Sequence, residues 1–461
     1  MAFAEKRGNL YRARWRGPSG KLESKPGFPT KRDAENYAKD QEAAIRGGTY
    51  VDPRAGQTTL TEWVNRWFPA QDLEPSTLAD YRNRIEVRIL PAFGDCPLAS
   101  LTEEAIAVWE MGLVKDGYAR STARAARTLL ATILGDAIPR YIQANPAARR
   151  RGKGRKGRRR VERLERSEKV WPSPLQALLV AERCAALSGH DAEFVMMVTA
   201  AYTGMRWSEL SGLAPQDVRD GALNVHWKLY ELDGRFYRGR PKDGSVRTLD
   251  LPPFLQRLLV DHLRSVPTTR CTCHGTSAQW CDGTSEYAFL GPRGGHHRRS
   301  TFSRRVLRPA ADGWYPKGRK PAMPVLVDAA NHPGILLTPW PAVEPGDPYT
   351  PPRGRGRRLI PDETPLASWL PVLRGLTPHG LRHGHQTWMD EADVARAVKT
   401  ERMGHELPGM QAIYSHISPT MRDHLVTVLE RLWSRSLADR ARMHPSSTVP
   451  IVDRLLAATA R

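Results

Sequence analysis

Between Arg149 and Arg160 nine of twelve residues are basic, and only glycines separate them. No hydrophobic core can take in such a block, because an unpaired charge moved out of water costs on the order of several kcal/mol. The stretch therefore reads as an extended linker, residues 148–171, that cuts the chain into separately folded parts. It is either a solvated hinge or an arm lying along phosphates through Arg149, Arg150, Arg151, Lys153, Arg155, Lys156, Arg158, Arg159 and Arg160. Composition favours neither reading over the other.

The parts on either side differ in pattern. A chain of 461 residues is long for one core, and roughly two to four domains are expected. Residues 9–16 alternate as a half-exposed strand does. Gly17-Pro18-Ser19-Gly20 has turn chemistry, and residues 21–28 read as the returning strand. Thr30 then caps a predicted helix over 31–45, ended by Gly47-Gly48. Residues 1–56 thus form a small basic module of sheet plus helix. From 59 to 147 the pattern is helical, with Leu78, Tyr81, Ile85 and Ile89 at helix spacing and Thr102 opening a further helix.

After the linker, residues 172–440 read as a larger α+β domain. Helices are predicted over 175–187 and 192–202, and strands over 223–230, 235–237 and 246–251. Lys242-Asp243-Gly244 supplies the turn before the last strand. The Pro- and Gly-rich stretch over 312–366 reads as an insertion, and the excess over the connection of the family resembled below implies another near 267–300. Helical pattern returns near His379 and runs on to Leu437, and residues 441–461 read as a C-terminal tail. The fold class expected is multidomain and mainly α with small β-sheets.

Lys and Arg total 70 against 49 Asp and Glu, a formal net charge of +21. That excess points to a polyanionic partner, nucleic acid first. Five cysteines are too few for a disulfide scaffold, and no run of 18 apolar residues occurs. A cytoplasmic protein with no membrane association is the expectation. Cys271, Cys273, His274 and Cys281 could supply four zinc ligands, but C-x-C leaves little room for both thiolates on one ion. The chemistry below needs no metal or other cofactor. Cys96 and Cys184 read as buried free thiols.

Two arginine boxes and two histidines carry the chemical content. T-G-M-R-W-S-E-L holds Arg206 and Glu209, H-G-L-R-H holds His379 and Arg382, and G-H is followed nine residues later by Tyr414. Guanidinium groups fork onto phosphate oxygens. A tyrosine hydroxyl attacks covalently once neighbours activate it. Taken singly, each residue has a plainer reading: a surface ion pair for Arg206 and Glu209, ordinary histidines, a core tyrosine. Their conjunction on a basic chain reverses that balance. His383, His385 and His416 need no chemical role, and Trp15, Trp63 and Trp67 fit a core better than a base-stacking platform.

Six such groups in this order resemble the tyrosine recombinase, or phage integrase, family, across roughly residues 60–437. The resemblance implies a catalytic set of Arg206, Lys242, His379, Arg382, His405 and Tyr414, with Glu209 in support. It implies an arm-binding module (1–56), a helical core-binding domain (59–147) and a catalytic domain (172–440). Double-stranded attachment-site DNA, a homotetramer on that DNA and an excisionase or other directionality factor are the implied partners. The 137 positions from Lys242 to His379 exceed the family's usual connection, and Lys228, Lys317 and Lys320 are rivals for the lysine role. Two other functions compete: a type IB topoisomerase, which the G-H box and nine-residue gap disfavour, and a DNA-binding relative that does not cleave.

Overall fold

The computed structural model describes residues 2–18, 20–48, 55–149, 169–241, 245–264, 286–291, 294–312, 372–405, 416–443, 445–447 and 449–459. It separates into two units, Met1–Leu164 and Glu165–Arg461.

The first unit opens with an antiparallel sheet, β1 (Phe3–Arg7), β2 (Leu10–Arg16) and β3 (Leu22–Phe28), in the order β1-β2-β3. Strand β1 was not anticipated from the sequence. Helix α1 (Lys31–Arg46) starts at Thr30, whose hydroxyl accepts from the Asp33 N–H. It lays Ala34 and Ala38 against Ala13 and Trp15. Next come α2 (Leu60–Trp67), opened by a Thr59–Glu62 capping box, and α3 (Pro75–Arg84). Helix α3 continues through a π turn at Ile85–Ile89 into α4 (Leu90–Phe93), and α5 (Glu103–Lys115) and α6 (Arg120–Gly135) follow. Leu60, Ile89, Ile106, Leu130 and Ile133 are fully shielded in their shared core. Trp67 donates to Asp136 at 2.7 Å and half-buried Trp63 to the Ile133 carbonyl at 2.9 Å, so both indoles are structural. Cys96 is only half-buried, unlike Cys184.

The second unit packs helices around a short sheet. Helices α7 (Pro174–Ser188) and α8 (Asp191–Thr203) are apolar nearly all round, and they form the centre of its core. A brief α9 (Trp207–Ser211) follows, then β4 (Val218–Arg219), β5 (Ala222–Val225), β6 (Lys228–Leu232), β7 (Arg235–Gly239) and β8 (Arg247–Asp250). The single strand expected over 223–230 is two strands in two different sheets. Strands β6 and β7 make a hairpin, while β8 returns to β5, with Val225 opposite Arg247. The expected pairing across Lys242 is therefore replaced. Positive φ at Asp220-Gly221 and Asp233-Gly234 shows where the tight turns fall, the dipeptide that hairpin turns select.

The remaining elements are α10 (Pro253–Leu263), α11 (Arg299–Phe302), a π turn (Ser303–Leu307), α12 (Arg308–Asp312), α13 (Pro378–Glu391), α14 (Arg396–Met403), α15 (Pro419–Met443) and α16 (Pro450–Thr459). Two sequence expectations change here. Tyr287 and Phe289, inside the stretch read as an insertion near 267–300, are buried, and Ala288 N–H donates to the Leu213 carbonyl. The supposed tail contains α16, which buries Val452 and Leu456 in the same core as α7 and α8. Helix α15 likewise buries Leu425, Leu429 and Trp433 within its own unit. An aromatic cluster of Tyr202, Phe254 and Trp433, with Phe254 and Trp433 stacked at 4.3 Å, fixes the C-terminal end of α8. The candidate site begins immediately beyond that end, with Arg206 three residues on.

Candidate active site

Helix α8 stops at Gly204, whose φ of +65° places it in the left-handed region that glycine tolerates. A Cβ there would lie 2.8 Å from the His385 ring. The turn aims the Gly204 carbonyl at Arg382, which donates to it from Nη1 at 2.7 Å. It also delivers Arg206 in extended conformation as the N-cap of α9. Arg206 therefore precedes the helix rather than lying on it. Glu209, in the first turn, accepts from the Arg206 N–H at 2.9 Å and from Arg206 Nη1 at 2.8 Å.

Glu209 is 1% exposed and has a second partner that the sequence reading missed. Arg247, on β8, donates to it from Nη2 at 2.8 Å and from Nη1 at 3.3 Å, and its Nε donates to the Arg402 carbonyl. These guanidiniums hold the Glu209 carboxyl below its ordinary range against the opposing effect of burial. A sequence signal for Arg247 existed. It alternates with Leu249 and Leu251 on the inward side of a strand, where a cation must find a buried acceptor. Arg402 was missed as well. Its Nε donates to His385 Nε2 at 2.8 Å, Nη1 to the Asp250 carbonyl and Nη2 to the Tyr202 carbonyl. It thereby ties α8, β8, α13 and α14 into one base beneath the site.

Arg382 lies on α13, opened by Thr377, and is only 3% exposed. Its guanidinium donates to the carbonyls of Gly204 and Met403 and, from Nη2 at 3.1 Å, to His405 Nε2. His405 follows Gly404, which ends α14 at φ +60° and leaves room for the Arg247 guanidinium close by. His379, one turn before Arg382, is exposed and rests edge-on against His383, with ring centroids 4.6 Å apart. Four guanidiniums thus converge where there is one buried carboxylate. The surplus is visible electrostatically: burial and then the neighbouring Arg206 push the Arg382 pKa down to about 10. His379 and His405 fall below the ordinary imidazole range, first from burial, then from His383 for His379 and from Arg382 for His405. Such a site stabilises an anion with donors already in place.

The structure brings together Arg206, Glu209, Arg382 and His405, with His379 on the same helix as Arg382. His385 is a buried structural histidine, as expected. Lys242 and Tyr414 lie outside the described residues, as do Arg150 to Arg160, Cys271, Cys273, His274 and Cys281. Arg149 pairs with Glu110. The rival Lys228 sits on β6 with its ammonium 5.3 Å from the Tyr230 ring centre. Among the described residues, no cluster of three or more His, Cys, Asp or Glu could hold a metal ion, and no helix is long and apolar enough to cross a membrane.

Comparison with known proteins bears on the fold and the domain content. Residues 59–114 match the phage integrase N-terminal SAM-like domain. The integrase of Mycobacterium phage D29 is 22% identical over 250 residues, which cover 51% of this chain and 62% of that protein. The integrase of Mycobacterium phage FRAT1 is also 22% identical, over 50% of this chain and 68% of its own length. The match thus spans less than two thirds of the first of these relatives. Among solved structures, the Tn1549 transposon integrase in complex with transposon right end DNA superposes with a TM-score of 0.53 at 17% identity. The superposition covers 81% of this chain and 99% of that one, a likeness of fold.

Proposed function

We propose that the chain, similar to phage integrases over about half its length and carrying a match to the phage integrase N-terminal SAM-like domain, is a tyrosine recombinase that acts as a site-specific DNA recombinase. It cleaves and rejoins duplex DNA at attachment sites through a 3′-phosphotyrosyl intermediate, for integration or excision of a phage or other mobile element. The observation that carries this reading is the half-exposed Arg206 held by buried Glu209 beside Arg382 and His405.

In this mechanism Arg206 and Arg382 brace the non-bridging oxygens of the scissile phosphate. They offset the charge that builds on phosphorus in the pentacoordinate transition state. The Tyr414 oxygen bonds to phosphorus as the bond to the 5′ oxygen breaks. His379 accepts the phenolic proton, and Lys242 protonates the departing 5′ oxygen, leaving a free 5′ hydroxyl. Two features support a neutral, accepting His379: its lowered pKa and its exposed position. His405, oriented by Arg382, donates to the phosphate from Nδ1. Glu209 and Arg247 are positioning residues that fix the Arg206 fork. The phosphotyrosyl ester keeps the energy of the broken bond, so rejoining by the 5′ hydroxyl needs neither ATP nor a metal.

The wider assignments follow the same reading. Residues 1–56 bind arm sites, 59–147 and 172–440 clamp the core site, and the basic linker 148–171 follows phosphates between them. Four protomers act together on cytoplasmic, nucleoid-associated DNA, and a directionality factor selects integration or excision. The test is a nicked suicide duplex carrying the attachment site, recovered by sequencing the junctions of the element that holds the gene. Wild-type protein should yield a protease-sensitive covalent adduct at the 3′ end, and Tyr414→Phe should yield none. An adduct that survives in Tyr414→Phe would remove the nucleophile assignment. Relaxation of plasmid lacking the site would favour a topoisomerase instead.

A further inference from the structure

The hollow that exposes Arg206 and His379 does not end at them. It has a volume of about 1340 Å³ and runs on between the tip of the β6–β7 hairpin and the continuous helix over residues 299–312. In a regular α-helix, side chains three or four apart share a face, and those five apart diverge. Here the Arg308 N–H bonds back to the Ser303 carbonyl, closing a π turn in mid-helix. Arg299, Arg304 and Arg308 all line the hollow while Phe302, Leu307 and Ala310 stay in the core. Single π turns of this kind recur at functional positions.

The charges of this wall do not cancel. Arg308 is bound to Asp312 at 2.6 Å, and Asp312 also accepts the Gly375 N–H. Glu231, on the hairpin, is bound by Arg298. Asp233 remains at the hairpin turn. Arg299 and Arg304 are exposed, and neither side chain makes a hydrogen bond or ion pair among the described residues. Ser300 and Ser303 place neutral hydroxyl donors between them.

Resting on the recombinase reading, we infer that Arg299 and Arg304 bind the phosphates adjoining the one braced by Arg206, so that the hollow is the track of the cleaved strand's backbone. These contacts are sequence-independent. They fix which phosphate reaches the Arg206–Arg382 pair and carry no base readout.

The experiment measures binding to attachment-site duplexes in a Tyr414→Phe background and adduct yield in the wild-type background. Arg299→Ala, Arg304→Ala and, as an exposed control outside the hollow, Arg305→Ala are compared, with folding verified by Tm. Each of the first two should flatten the dependence of log K on log salt by about 0.9, on specific and scrambled DNA alike. A neutral methylphosphonate at the matching flanking phosphate should weaken the unsubstituted protein but cost the corresponding variant nothing further. Unchanged slopes, equal methylphosphonate penalties in variant and parent, or an equal loss in Arg305→Ala would each overturn the inference. If wild-type protein forms an adduct while these couplings are missing, only the track is lost. If it forms none, the recombinase reading fails first.

Discussion

Among the described residues of the second unit, two buried carboxylates are gripped by arginine, and they are put to opposite uses. Glu182, on α7, is fully buried. It receives Arg440 of α15 twice at 2.7 Å and the Ser447 hydroxyl at 2.6 Å, while Arg440 also donates to the Ser446 carbonyl. These contacts close inward, and the pair pins the chain just before α16. Glu209 is as deeply buried, yet it is shared by Arg247, 4% exposed, and Arg206, 25% exposed. Arg247 neutralises the carboxylate from inside, so Arg206 can be oriented by it and still present donors to the hollow. The same chemistry makes a latch when one guanidinium saturates the acid, and a site when a second one shares it.

Removing one partner should separate the two. Arg440→Ala leaves Glu182 charged with no guanidinium, and the expected loss is about 3–5 kcal/mol, on the order of 10 °C in Tm for a unit of this size. Replacing both members with apolar residues, as in Glu182→Leu with Arg440→Met, should recover most of it. Below the lowered Tm, adduct formation by Arg440→Ala should match wild type. A small Tm change in the single variant would show that the pair is not the latch described.

Arg206→Ala should do the converse. Arg247 still satisfies Glu209, so the stability loss should stay on the order of 1 kcal/mol. Adduct formation should slow by about 100- to 1000-fold, the usual cost of one preorganised transition-state donor. Arg206→Lys should recover little, because an ammonium cannot fork between Glu209 and two phosphate oxygens. A large Tm loss with a modest rate loss would erase the distinction between the two carboxylates.

How much of this was legible in the sequence depended on range. Arg206, Glu209, Arg382 and His405 stood in short boxes whose local order survives folding, with Gly204 and Gly404 as the helix ends that aim them. Thr30 and Thr102 announced helix starts because a cap acts over three residues. The Asp-Gly turns at 220 and 233 were equally local, and the strand reading passed over them. By contrast, the pairing of β8 with β5, across an intervening hairpin, is set by burial of Leu223 and Leu249 rather than by any neighbouring residue. Arg247 could not be linked to Glu209 without that pairing. Val449, Val452 and Leu456 recur at helix spacing in the presumed tail. Their meaning depended on an apolar face of α7, α8 and α15 that only the folded chain assembles.

The smallest expected effect concerns protons. Near Glu209 the cations outnumber the acid, and both His379 and His405 count Arg382 and Arg206 among the causes that lower their pKa after burial. Each imidazole is therefore neutral down to below pH 6.5 in the free protein. The second-order rate of adduct formation, which reports free-enzyme ionisations, should be flat from about pH 7.5 to 6.5 and fall only at lower pH. Stability takes the same sign: an unfolded histidine gains its proton near pH 6.5 while the folded one resists, so acidification below that point destabilises the fold. His383→Gln removes the second-largest influence on His379 and should move the acidic limb to higher pH. Arg440→Ala, at the closed carboxylate, should leave the limb where it is. A limb centred above pH 6.5 in the wild type, or one that shifts with Arg440 and not with His383, would mean that the surplus charge beside Glu209 does not reach the histidines.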